Sequence, residues 1–158
     1  MAKEHKTVKE MWEKYLSTIG ENINDSGKTY ESWYFCNNEK EAHELAALVK
    51  RGKKKATASL HCLYEIENEP IPKVGDYIII TNWKGIAQCI IQITNINIIP
   101  FKEVTDEFAA KEGEGDKTLS FWQKVHRKFF SLELKEYNKK FSEDMLVVCE
   151  EFFRFGLH

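Results

Sequence analysis

The chain has 158 residues, of which 42% are hydrophobic and 30% charged, with a formal net charge of −2 at pH 7. Such a chain can bury one real core, and it is too apolar for disorder. No apolar run approaches the ~18 residues needed to span a bilayer. The first residues lack the apolar stretch of an export signal, and the slight negative charge argues against coating long duplex DNA. A cytoplasmic protein without membrane partners is expected.

An amphipathic helix is predicted first. Thr7 and Glu10 read as a capping box, Val8, Met11, Trp12, Tyr15, Leu16 and Ile19 form its apolar stripe, and Gly20 ends it. After a polar loop, a short aromatic strand is expected over 32–36. Asn38 and Glu41 then open a second helix, which ends at Gly52. A strand is predicted over 56–64. Ala56, Ala58, Leu60 and Cys62 line one face of it; Thr57, Ser59 and His61 line the other.

Further strands are expected over 77–81 and 86–99, joined by a turn at 82–85. The apolar parity of the second changes near Thr94, which predicts a bulge or bend there. A short helix is expected within 101–110 and a Gly-rich acidic loop over 111–117. Ser120 and Gln123 cap a long helix running to about Tyr137, and a last strand covers 145–155. The class is α+β: a curved sheet with helices outside it. Residues 1–30 form a helix and loop packed on a domain of residues 31–158.

Cys36, Cys62, Cys89 and Cys149 form no CxxC pair and lie in apolar stretches, so they read as reduced structural thiols. No His/Cys cluster suggests zinc, and the acidic loop lacks the ligand order of a calcium loop. No metal and no cofactor are expected.

The most informative segment is the turn after the second helix. Lys50, Arg51, Lys53, Lys54 and Lys55 surround Gly52, and the hydroxyls of Thr57 and Ser59 follow. Glycine permits a left-handed turn whose amides approach an anion, and lysine supplies a point charge to phosphate. The same residues also suit a plain helix end, with cations complementing the dipole.

The pattern Gly52-x-Lys54-x-x-Thr57 resembles the signature of the ASCH domain, a relative of the PUA fold. Pro72-Lys73-Val74-Gly75-Asp76, Phe101-Lys102-Glu103-Val104, the run from Phe108 to Asp116 and the helix from Phe121 to Phe130 are similar to further family segments. The resemblance covers roughly Trp33 to Phe153. It implies a curved PUA-like β-barrel with a cleft for RNA, a nucleotide or a nucleoside. One bacterial member is similar to an amidohydrolase acting on N-acylated cytidine, and others are ribonucleases or RNA binders. Carried over, the catalytic set is Lys54, Thr57 and Glu112, with Glu114 close in sequence to Glu112. Gly52, Lys53, Lys55, Ser59 and Glu114 would contact the ligand.

In such a set, Thr57 attacks only after a base takes its proton. Lys54 serves as that base when desolvated, or stays charged beside Glu112 and stabilises an anion. Both roles are open. Lys54 and Thr57 converge only if Lys54 lies in the turn before the strand, because i and i+3 point to opposite faces within a strand. Trp33 and Trp83 flank loops where they could stack on a base; core packing is the commoner fate of tryptophan. His126, one turn beyond Trp122, reads as a hydrogen-bonded structural histidine.

Overall fold

The structure of the chain is a computed structural model that describes residues 3–157. Met1, Ala2 and His158, which fall in the expected segments 1–30 and 31–158, lie outside the described residues. The chain forms two compact units. The first comprises residues up to Lys53, Val74–Thr94 and those from Phe152 on; the second comprises Lys54–Lys73 and Asn95–Glu151.

In the first unit, α1 spans Lys6–Thr18. Val8, Trp12, Tyr15 and Leu16 recur at helical spacing and pack with Ile79 and Ile90 in one buried cluster. The cap differs from the expected Thr7–Glu10 box. His5 is the N-cap and its Nδ1 accepts from the Thr7 amide at 3.2 Å. The Thr7 hydroxyl instead accepts from the amide of Ala87 at 2.9 Å, which docks the helix on the sheet.

Strand β1 is Tyr30–Trp33, two residues earlier than expected, and runs parallel to β3 (Tyr77–Thr81). Helix α2, Glu39–Lys50, starts at Asn38, whose side chain accepts from the Glu41 amide. It ends at Gly52, with φ 77°.

In the second unit, β2 covers Ala56–Leu60 and passes into α3, His61–Ile66. The expected strand over 56–64 is therefore too long. Leu60, Leu63 and Ile66 enter the core at a spacing of three, which is helical rather than alternating. A single 3₁₀ turn at Phe101–Glu103 precedes α4, Asp106–Glu112, capped by Thr105. Helix α5, Leu119–Lys135, is capped by Thr118, two residues before the predicted Ser120. Phe101, Phe108, Trp122, Phe130 and Leu134 anchor this unit's core.

Two long strands, β4 (Ala87–Pro100) and β5 (Leu146–Phe155), contribute residues to both units. The strands hydrogen-bond in the order β1-β3-β4-β5-β2. The sheet is mixed and curved, with β1 and β2 as unjoined edges, so the α+β class holds but the sheet is not closed. The register shift lies between Ile80 and Thr81, where Gln88 is the extra residue. β4 runs on through Thr94, where a bulge or bend is expected. Ile90, Ile91 and Ile93 before it are buried, whereas Ile96 and Ile98 after it are not. Among the described residues, Cys36, Cys62, Cys89 and Cys149 form no disulfide.

Candidate functional site: a buried charge cluster

The second unit contains two largely buried ionic side chains that meet, Lys54 and Glu112. Residues 53–55 are non-helical and precede β2, so Lys54 stands in the connecting turn. The amide of Lys55 donates to the carbonyl of Lys111 at 2.7 Å and ties this turn to α4. Glu112 is the last residue of α4. Gly113, in the left-handed conformation at φ 69°, turns the chain so that Glu114 returns toward the same lysine.

Lys54 Nζ donates to Glu112 Oε1 at 3.0 Å and to Glu114 Oε2 at 3.4 Å. The other Glu112 oxygen accepts from the indole N–H of Trp122 and lies 3.1 Å from His126 Nε2. Trp122 and His126 are one turn apart on α5, and their rings stack with centroids 4.1 Å apart. His126 Nδ1 sits 2.8 Å from the Trp122 carbonyl oxygen. Both imidazole nitrogens thus face acceptors, and a doubly protonated ring satisfies both.

The charges agree with that geometry. Burial alone would lower the pKa of Lys54, but the charges of Glu112 and Glu114 and their hydrogen bonds raise it above its ordinary value. Burial would push Glu112 up; Lys54 and His126 overcome this and hold its carboxyl at about 2. Burial likewise opposes the charged form of His126, and Glu112 reverses the effect, raising its pKa. The shifts of Lys54, Glu112 and His126 thus all favour the charged forms, in a site where an isolated charge is costly to bury. Lys54 in this setting is a fixed cation and holds its proton.

Glu112, Glu114 and His126 each offer a ligand atom, all within 4.8 Å of one another. That donor set would suit a divalent ion. The Lys54 ammonium already lies against both carboxylates and His126 against one, so a metal would have to displace their hydrogen bonds.

Of the residues singled out by the sequence, Lys54, Glu112 and Glu114 are brought into direct contact. Thr57 is half-buried on β2, paired in register with Glu150. The Ser59 hydroxyl lies 2.6 Å from that of Tyr64. Lys55 is exposed. Gly52, Lys53, Trp33 and Trp83 belong to the first unit. There Trp33 packs edge-on against Phe35, and Trp83, 37% exposed, lies against Tyr34 with centroids 4.8 Å apart. Neither Trp122 nor His126 stands in the catalytic or ligand-binding set expected from the sequence. Their spacing of four on one helix face was the available signal; that both serve a buried carboxylate from another helix is a tertiary fact.

The ASCH domain profile matches residues 31–154, and the chain belongs to the ASCH domain family. It is similar to the crystal structure of an ASCH domain from Lactobacillus crispatus JV V101, with a TM-score of 0.88 and 39% identity, covering 96% of this chain and 95% of that one. It is also similar to protein EF3133 from Enterococcus faecalis V583, with a TM-score of 0.86 and 33% identity over 96% and 90% of the two chains. A search of curated proteins finds no match. No helix among the described residues is long and apolar enough to cross a membrane.

Proposed function

We propose that this ASCH-domain protein binds RNA or a nucleotide in a cleft around Lys54, Thr57 and Glu112, with the buried charge cluster as its fixed electrostatic floor. The observation that carries this reading is Lys54 itself. It occupies the lysine position of the family motif at 2% exposure, its charge held by two carboxylates. Held by both carboxylates, the ammonium fixes the turn that carries the neighbouring Lys55. Lys55 next to it is exposed and available to phosphate.

A thermal-shift screen of nucleosides, nucleotides and short single-stranded RNAs tests the reading, because a ligand of the folded state raises stability by ~2.7 kcal/mol at one hundred times its Kd. RNA or a nucleotide is expected to raise the melting temperature, and Lys53→Glu with Lys55→Glu to weaken binding at low salt. No shift with any of these ligands would remove the reading.

A second reading is hydrolysis of an N-acylated cytidine-type nucleoside, or of RNA. It is favoured by the position of Lys54 in the turn before β2, the condition for it to converge with Thr57. In that reading the Thr57 oxygen attacks the acyl carbonyl, the charged Lys54 steadies the oxyanion, the C–N bond breaks with the hydroxyl proton passing to the leaving exocyclic amine, and water then hydrolyses the acyl-threonine. Acetate release from acetylated cytidine that vanishes in Thr57→Ala supports it; full activity in that variant excludes Thr57 as nucleophile.

A further inference from the structure

In the first unit, α2 ends in a complete backbone cap. The Gly52 amide donates to the Val49 carbonyl and the Lys53 amide to the Leu48 carbonyl, each at 2.9 Å. The turn needs no side chain to close it. A side chain nevertheless lies over it. The guanidinium of Arg154, on β5, comes so close to Gly52 that a Cβ there would stand 3.8 Å from its Nη2.

Lys50, Arg51, Lys53 and Arg154 are all exposed, and among the described residues none of the four forms an ion pair. The third arginine of the chain, Arg127, is tied to Glu143. The charges of Arg154 and Lys50 both bear on the buried thiol of Cys89, which brings strand and helix end to one place. Helix-dipole complementation accounts for Lys50 at the last turn of α2. The dipole favours Arg154 there as well, but a helix end carries only about half a negative charge, which four cations exceed. Unpaired cations gathered at a backbone turn repel one another until an anion arrives, and the planar guanidinium fork fits phosphate.

We propose that Arg154, over Gly52 and with Lys50, Arg51 and Lys53 beside it, forms a phosphate-binding site. The proposal rests on the RNA- or nucleotide-binding reading and deepens it by naming where a phosphate is held. A phosphodiester and a free nucleotide phosphate share this chemistry.

Fluorescence anisotropy with a short labelled oligouridylate, competed by uridine monophosphate, inorganic phosphate and uridine, separates the sources. Arg154→Gln is expected to weaken RNA binding about tenfold, and to flatten the slope of log K against log salt by about 0.7. Arg154→Lys is expected to recover part of the affinity. The melting temperature of Arg154→Gln should stay unchanged, since backbone bonds cap the helix. RNA bound equally by the original protein and Arg154→Gln overturns the site while leaving RNA binding intact. Phosphate or nucleotide binding that needs Arg154, without RNA binding, upholds the site and removes the polymer. If no phosphate-bearing probe binds, both proposals fall. If Arg154→Gln melts early and loses uridine as well, the residue is structural and the site is wrong.

Discussion

The ammonium of Lys54 stands 3.0 Å from a Glu112 oxygen, and neither side chain is more than 2% exposed. Removing either one leaves the cluster with an uncompensated charge in a dry site. Lys54→Met and Glu112→Gln are each expected to destabilise the fold by about 3–5 kcal/mol. Lys54→Met combined with Glu112→Gln removes both charges and should cost less than the sum of the single losses. Urea denaturation of the three variants measures this, and additive losses would mean that the two groups do not act as a pair.

The pH dependence of stability has a defined sign on each side. The folded pKa of Glu112 lies below its ordinary 4.5. Its contribution is therefore present above about 4.5 and is lost as pH falls toward about 2. The pKa of His126 is raised above 6.5, so its contribution is full below 6.5 and is lost as pH rises through the folded value. Urea midpoints should fall along the acid limb, and Glu112→Gln should lose much of that dependence. A parallel acid limb in Glu112→Gln contradicts the assignment.

Glu133 on α5 behaves oppositely. Burial, with Glu67 and Glu136 nearby, pushes its carboxyl up to about 7. A raised carboxyl favours the folded state at low pH and disfavours it as pH rises through about 7. Glu133→Gln is expected to stabilise the protein at pH 8 by on the order of 1 kcal/mol, with solvent screening allowed for. At pH 4 it should be nearly neutral. Equal effects at both pH values would show that Glu133 does not titrate in this range.

Gly115 lies in the loop that returns Glu114 to Lys54. Its φ is 56°, and a Cβ there would collide with the ring of Phe121. Gly115→Ala is expected to cost about 1–3 kcal/mol, through strain and overpacking, and to loosen Glu114. Urea denaturation reads the cost; an unchanged midpoint would mean the loop relaxes freely.

Much of this arrangement was legible in the residues. The stripe of Val8, Trp12, Tyr15 and Leu16, the cap at Asn38 and the stop at Gly52 are local signals, and each specifies its element locally. Lys54 and Glu112 came from a family motif rather than from periodicity. What the chain did not disclose depends on tertiary context. Thr7 leaves its own helix cap because the amide of Ala87 offers a better-placed partner. The apolar alternation from Ala56 continues through Cys62, yet the strand ends at Leu60 because Leu63 and Ile66 reach the core only on a helix. Trp122 reads as a core tryptophan and His126 as a hydrogen-bonded structural histidine until the carboxylate they serve is in place. Arg154, isolated between phenylalanines near the end of the chain, carries no motif that points to Gly52.

The central claim is that Lys54 is a permanently charged, carboxylate-held cation rather than a base. Nuclear magnetic resonance titration of the Lys54 ammonium and the Glu112 carboxyl carbon tests it directly. Lys54 is expected to stay protonated past its ordinary 10.5 and Glu112 to stay ionised well below 4.5. A lysine that loses its proton near neutrality, or a Glu112 that titrates at its ordinary value, would contradict it.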